Sequence, residues 1–216
     1  MSNDMIRIGD WVEMPQANVD GDVIDIALHT VKIQNWDKTI TTFPPSSLIS
    51  ESFKNWRGMS EAQGRRIKRS VYIDINTISR CTPEMLERFS EIRFIQDYIE
   101  KKRLDLAQWN EKYGDGTSCP VNARNLTNVG TFRAYIEAYL KSHPQINQDM
   151  TLLVRQLDPL EKGLPIQIYC FSKEKEWGHY EKLQSDIFDH ILATAPDFNL
   201  RIFQNPTGAD FQAFKK

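Results

Sequence analysis

Ile8-Gly9-Asp10-Trp11-Val12-Glu13-Met14, then Gly21-Asp22-Val23-Ile24-Asp25-Ile26-Ala27-Leu28, then Val31-Lys32-Ile33-Gln34-Asn35-Trp36-Asp37-Lys38-Thr39-Ile40-Thr41-Thr42-Phe43 is the stretch whose reading decides the fold. Apolar and polar residues alternate along it with a period of two, the pattern of half-buried strands. Gly9-Asp10 interrupts the first run, whose apolar positions are Ile6, Ile8 and Val12. Ile24, Ile26 and Leu28 are expected to share one face of a strand, as are Val31 and Ile33 on the next. Asn35 to Lys38 reads as a turn, and Thr39 to Phe43, rich in β-branched residues, as a fourth strand. Pro44-Pro45-Ser46-Ser47 stops it, and Leu48 to Phe53 is expected to form a last short strand. Five strands of this length and spacing predict a small, highly bent sheet or partly open barrel. Nothing in the stretch has a catalytic pattern.

Beyond it, Gly58 to Gly64 is polar and reads as a hinge between two domains, residues 1–63 and 64–216. A strand follows with Ile67, Val71, Ile73 and Ile75 on one face. Thr82-Pro83 has the chemistry of a helix start: a hydroxyl cap, then proline where its missing N–H does no harm. Met85, Phe89, Ile92, Ile95, Ile99, Leu106 and Trp109 recur at helical spacing, predicting one amphipathic helix. Tyr113 to Asn128 reads as a loop and Val129 to Ser142 as a helix that His143-Pro144 ends. Strands are expected over Thr151–Leu157 and Leu164–Phe171, a helix through Trp177, Tyr180, Leu183, Ile187 and Ile191, and a last strand over Phe198–Phe203. With about 80–126 set aside as a helical insertion, this order is the βαββαβ, ferredoxin-like arrangement. The fold class is therefore α+β.

At 216 residues, 40% hydrophobic and 26% charged, the composition is that of one large or two small globular domains. A net charge of -2 gives no global attraction for nucleic acid or an acidic membrane. No run approaches the ~20 apolar residues of a membrane helix. The first residues lack the basic and apolar regions of a signal peptide. A strand pattern that begins almost at once suggests an excised domain. Cys81, Cys119 and Cys170, far apart and odd in number, fit reduced bystander thiols.

The motifs of common chemistry are missing. His29, His143, His179 and His190 show no metal-ligand spacing. Asp186, one turn before His190, reads as the partner in an exposed helical ion pair. No phosphate-cradling glycine motif and no nucleophile elbow occurs, and Asp20 and Asp22 read as turn-shaping residues. The sequence points to no enzyme, no cofactor and no metal. Arg65-Arg66-Ile67-Lys68-Arg69 is the strongest electrostatic feature. With Tyr169 and Phe171 on a strand, it raises RNA binding by base stacking. However, Leu164-Pro165-Ile166-Gln167-Ile168 does not match the RNA-binding consensus, and a basic strand edge that deters pairing is the simpler reading.

The order Ile8-Gly9-Asp10-Trp11-Val12, Gly21-Asp22-Val23, Asp37-Lys38-Thr39-Ile40, Pro44, Leu48-Ile49 and Asn55-Trp56-Arg57 resembles the cytoplasmic β domain of the small-conductance mechanosensitive channel (MscS) family. The wording of HTVKIQNWDKTITT, LISESFKNWRGM and GRRIKR is most similar to the YbdG-type, or miniconductance, branch. The likeness continues through Met150–Leu157 and Gly163–Ile166 to the last strand. Each motif alone is weak; their order and spacing carry the resemblance.

The resemblance implies a small Sm-like β domain followed by a ferredoxin-like α/β domain. It implies a homo-oligomeric ring, usually heptameric, forming a vestibule on the cytoplasmic face of the bacterial inner membrane. Tension would open such a channel in hypo-osmotic shock and release ions and small osmolytes. Gly9, Asp10, Gly21, Asn55 and Arg57 stand at the matching motif positions and would have structural or assembly roles. Gly21 is further expected to adopt a backbone conformation that a side chain would penalise. The sequence departs from the family in lacking transmembrane helices and in carrying the 80–126 insertion. By itself it would be a soluble fragment, tied to the membrane through the missing helices, with no nucleic-acid partner. The alternative is a soluble Sm-like and ferredoxin-like RNA-binding protein.

Overall fold

The computed structural model describes residues 4–62, 64–114, 119 and 121–206. The expected loop over 115–118 and the tail from 207 lie outside them. The chain divides into two compact units, Met1–Arg65 and Arg66–Lys216.

The first unit is a five-stranded antiparallel sheet in the order β4-β3-β2-β1-β5. Its strands are β1 (Trp11–Met14), β2 (Val19–Ile26), β3 (Val31–Asn35), β4 (Ile40–Phe43) and β5 (Lys54–Asn55). Val12, Met14, Val19, Val23, Val31 and Ile33 point inward and, with Leu48, make a small core. Met5, Ile6, Phe43 and Phe53 close it at the sides. The alternation over Val31–Ile33 is therefore read correctly, but that over Ile24–Leu28 is not. Register slips between Val23 and Asp25, at Ile24; Ile24 and Ile26 are exposed, and so is Leu28, by 84%, in the turn after β2. A bulge resets which side chains face the core, and a period-two pattern cannot register it. Ile8 is exposed as well, because Gly9 (φ +90°) turns the chain before β1 begins.

The expected strand over Leu48–Phe53 is instead a helical turn, α1 (Ser47–Ser50). Ser46 closes it through the Ser50 N–H, and only Leu48 is buried. The polar Gly58–Gly64 segment likewise begins as a helix, α2 (Arg57–Glu61).

The second unit carries a three-stranded sheet, order β6-β8-β7, from β6 (Arg65–Ile73), β7 (Leu153–Gln156) and β8 (Leu164–Ser172). β8 is central and buried along almost its whole length. α3 (Pro83–Ser90), α4 (Gln96–Tyr113), α5 (Asn128–Ser142) and α6 (Trp177–Thr194) complete the unit. Thr82 caps α3, Thr127 caps α5 and Glu176 caps α6, each accepting from backbone N–H groups of the first turn.

Two expectations fail here for local reasons. The single helix through Met85–Trp109 is two helices. At the junction Glu91, Ile92 and Ile95 donate to carbonyls three residues back, which tightens and ends the turn. The break lets Phe89, Ile95 and Ile99 all enter the main core, while Leu106 packs only partly and Leu104 is 65% exposed. The strand over Phe198–Phe203 is a 3-10 turn, Ala195–Phe198, followed by Asn199 in a left-handed conformation. Strand pairing is reduced to one bridge between Ile73 and Ile202, where Asp74 donates to Arg201 and Phe203 to Tyr72.

The base of the 80–126 segment is closed. Arg80 bridges Thr127, Cys81 donates to Leu126, and Asn128 donates to Ser79. The fully buried Asn128 side chain completes the closure, accepting from Ser79 N–H (2.9 Å) and donating to the Thr77 carbonyl (2.8 Å). No helix among the described residues is long and apolar enough to cross a membrane.

Candidate functional site

Gly9-Asp10 places an aspartate where the incoming segment meets the sheet. Gly9 N–H donates to Val23 and Val23 N–H donates to the Asp10 carbonyl, so the backbone here is held from both sides. The Asp10 carboxylate is 7% exposed and accepts from three directions. The Arg7 backbone N–H lies 2.7 Å from Oδ2, Asn55 Nδ2 2.9 Å from the same oxygen, and Arg57 Nε 2.9 Å from Oδ1. Arg57 Nη2 bonds Oδ2 as well, so the guanidinium grips the carboxylate with both prongs. Arg57, with Asn55 next, holds the Asp10 carboxyl well below the usual range, at about 2.

The clamp extends outward. Asn55 Nδ2 donates to the Met5 carbonyl (2.9 Å), and Asn55 Oδ1 accepts from the Arg57 N–H (2.8 Å). Asp4 pairs with Arg7 and lies 3.4 Å from Arg57. Residues 4–10 are thereby tied to residues 55–57, the first and last parts of the sheet unit. Of the five sequence-derived site residues, Asp10, Asn55 and Arg57 come together and Gly9 adjoins them. Gly21 stands apart, paired with Val12 on one side and Asn35 on the other. Its φ is not positive, so the constraint there is space rather than backbone conformation. A Cβ at Gly21 would lie 2.0 Å from the Gln34 carbonyl oxygen and 2.7 Å from the Asn35 Cα.

Sequence reasoning misses the face beside the clamp. Trp11 stacks on Trp56 (4.8 Å between centroids, 19°) and meets Trp36 edge-on (5.5 Å). Asp20 Oδ1 accepts from both the Trp11 indole (2.7 Å) and the Trp36 indole (2.9 Å), so it anchors two rings from within β2, where the sequence reading expects a turn. A signal exists in the sequence: three of five tryptophans fall in the first 56 residues. Their meeting depends on the strand order.

In the second unit His190 does not form the expected exposed ion pair. Its Nε2 lies 2.6 Å from the Tyr135 hydroxyl, and its ring stacks on Tyr139 at 4.4 Å. Tyr169 and Phe171 are half-buried and meet edge-on. Arg66 already covers Tyr169 and Arg69 covers Phe188, so these cations are engaged by the chain's own rings. No group of His, Cys, Asp and Glu among the described residues could hold a metal. Burial raises the Cys170 thiol to about 12, removing it from nucleophilic chemistry.

Residues 1–58 match the family model of the mechanosensitive ion channel beta-domain. The low conductance mechanosensitive channel YnaI of Escherichia coli is 24% identical over 185 residues, covering 86% of this chain and 39% of that protein. An uncharacterized MscS family protein of Helicobacter pylori is 22% identical, covering 89% of this chain and 27% of its own length. Among solved structures, Arabidopsis thaliana MSL1 aligns with a TM-score of 0.56 at 15% identity, over 93% of this chain and 53% of that one. Helicobacter pylori MscS in its closed state aligns with 0.53 at 13% identity, over 94% and 57%. At these identities the structural likeness establishes the shared mixed α+β fold. The chain spans well under half the length of the two curated relatives.

Proposed function

We propose, from the MscS-family membership that the matched beta-domain and the relatives support, that this chain is the vestibule part of a mechanosensitive ion channel. The beta-domain match over residues 1–58, followed by likeness across most of the rest, carries the reading. On this reading residues 1–63 are an Sm-like β domain. Residues 64–216 are a ferredoxin-like domain whose fourth strand has shrunk to the Ile73–Ile202 bridge, with 80–126 inserted. The full protein would belong to the YbdG-type branch and carry transmembrane helices outside this chain. It would assemble as a ring, a heptamer, at the cytoplasmic face of the inner membrane. Opening under tension in hypo-osmotic shock would release ions and small osmolytes.

Physical features support the ring. The first unit buries seven apolar side chains in its core yet exposes Ile8, Ile24, Ile26, Leu28, Ile40 and Ile49. Ile24, Ile26 and Ile40 lie on strands and the other three on the segments around them, apolar surface that a neighbouring copy would cover. β4 and β5 are the two edges of the sheet, and head-to-tail contacts between unlike surfaces generate closed rings. Gly9, Asp10, Gly21, Asn55 and Arg57 would act in assembly by fixing the shape each copy presents. RNA binding is not favoured, since the Escherichia coli relative is a mechanosensitive channel and Arg66 and Arg69 already lie over the chain's own rings.

The test uses cells lacking their own mechanosensitive channels and expressing the full protein that contains this chain. Survival of a rapid fall in osmolarity is expected to rise, and deletion of residues 1–58 to abolish the gain. Survival equal to that of empty cells, with the protein present in the membrane, would overturn the reading.

A further inference from the structure

Two features of the chain lie outside both the clamp and the cores. The first is a cavity of about 310 Å³ on the outer side of the sheet unit, lined by Glu13, Asn18, Asp20, Asn35, Trp36 and Asp37 among others. Its lining holds three carboxylates and no lysine or arginine. Lys54 answers Glu13 at 3.0 Å, which leaves Asp20 and Asp37 as the uncompensated pair. Asp20 is fixed by two indole N–H groups and cannot swing away. Asp37 is kept ionised through the hydroxyl and N–H of Thr39. Trp36, 45% exposed, forms a wall. Carboxylates held rigidly against an indole are suited to a guanidinium or ammonium group. The neighbouring ring already takes one: the Arg65 guanidinium lies 5.9 Å from the Trp11 centroid.

The second feature is the outer part of α4. The helix has 18 residues, about 27 Å, and buries only Ile99. Its far end is nonetheless held firmly. The Asn110 side chain donates to the Arg124 carbonyl (3.0 Å) and accepts from the Arg124 N–H (2.8 Å), and the Arg124 guanidinium covers Trp109. On this stiff arm Lys101-Lys102-Arg103 precede the exposed Leu104. No ion pair with a described residue engages these three cations.

We propose that the Lys101–Leu104 turn of one copy docks on the Asp20–Trp36–Asp37 groove of a second copy. Charge complementarity selects the occupant: Lys101, three residues before Leu104 on the same face of α4, meets the Asp20 and Asp37 carboxylates with Lys102 and Arg103 flanking it, and Leu104 meets the exposed indole. The contact joins two different surfaces, so it repeats around a ring, and it rests on the ring assembly proposed above. The inserted helix thereby staples neighbouring copies together.

Sedimentation velocity of the chain at low and high salt tests it. Self-association is expected to weaken with salt. Lys101→Glu, Lys102→Glu and Arg103→Glu together are expected to weaken it about tenfold, with Trp36→Ala giving a smaller loss. Adding Asp37→Lys to the triple variant is expected to restore part of the loss. None of the three arm residues is buried, so their substitutions leave the fold intact, checked by thermal unfolding. Absence of association in the unsubstituted chain, or association that the arm reversal leaves unchanged, would overturn the contact. A full-length protein that still forms rings with the reversed arm sinks this contact alone; a monomeric full-length protein sinks the ring as well.

Discussion

Gly21 and Asp10 show two ways in which one residue controls the sheet unit. At Gly21 the next strand runs so close that a methyl group has no room, and β2 and β3 must part to admit it. Gly21→Ala is expected to cost about 2–3 kcal/mol in urea unfolding. Gly9→Ala, with open space but φ +90°, is expected to cost about 1 kcal/mol. Equal losses would contradict the distinction between crowding and backbone strain. Asp10→Ala strands the Asn55 amide and the Arg57 guanidinium, and is expected to cost about 3 kcal/mol. Because folding lowers the Asp10 pKa from 3.8 to about 2, its contribution is complete above about pH 4 and drains away as pH falls towards 2. Acid titrations of stability should therefore fall less steeply in Asp10→Asn than in the unsubstituted protein; identical slopes would rule the clamp out as a source of acid sensitivity. These residues are partly legible in the sequence. Gly9, Asp10, Asn55 and Arg57 can be picked from motif positions, but their bonds to one another span 45 to 47 positions, and no local pattern announces that. Asp20 reads as a turn residue because its two indole partners come from different parts of the sheet.

At the scale of elements, the period of apolar residues locates nearly every helix and strand, and fails where a break or slip resets it. Residues 83–109 keep one helical period across two helices because both bury against the same core. Phe89 is fully buried and stacks on Phe198 at 5.0 Å. Phe89→Ala is accordingly expected to lower stability by about 3–5 kcal/mol, and Leu104→Ala by less than about 0.5 kcal/mol. Comparable effects at the two positions would mean that the inserted segment packs as one body. The last strand fails for a different reason. The alternation of Leu200 and Ile202 is real, but with only the bridge at Ile73 the ladder never forms.

For the whole molecule, the α+β class and the family resemblance are legible in the sequence, because the order of turns and short strands survives at low identity. Which apolar residues stay exposed is not legible, since exposure of Ile24 and Ile40 depends on register. These surfaces belong, on the reading proposed, beneath a pore opened by membrane tension. Patch-clamp recording under graded suction, on membranes containing the full protein that carries this chain, tests that most directly. Stepwise currents with a reproducible tension threshold are the predicted result. Silent patches at tensions up to membrane rupture, with correctly inserted protein, would contradict it.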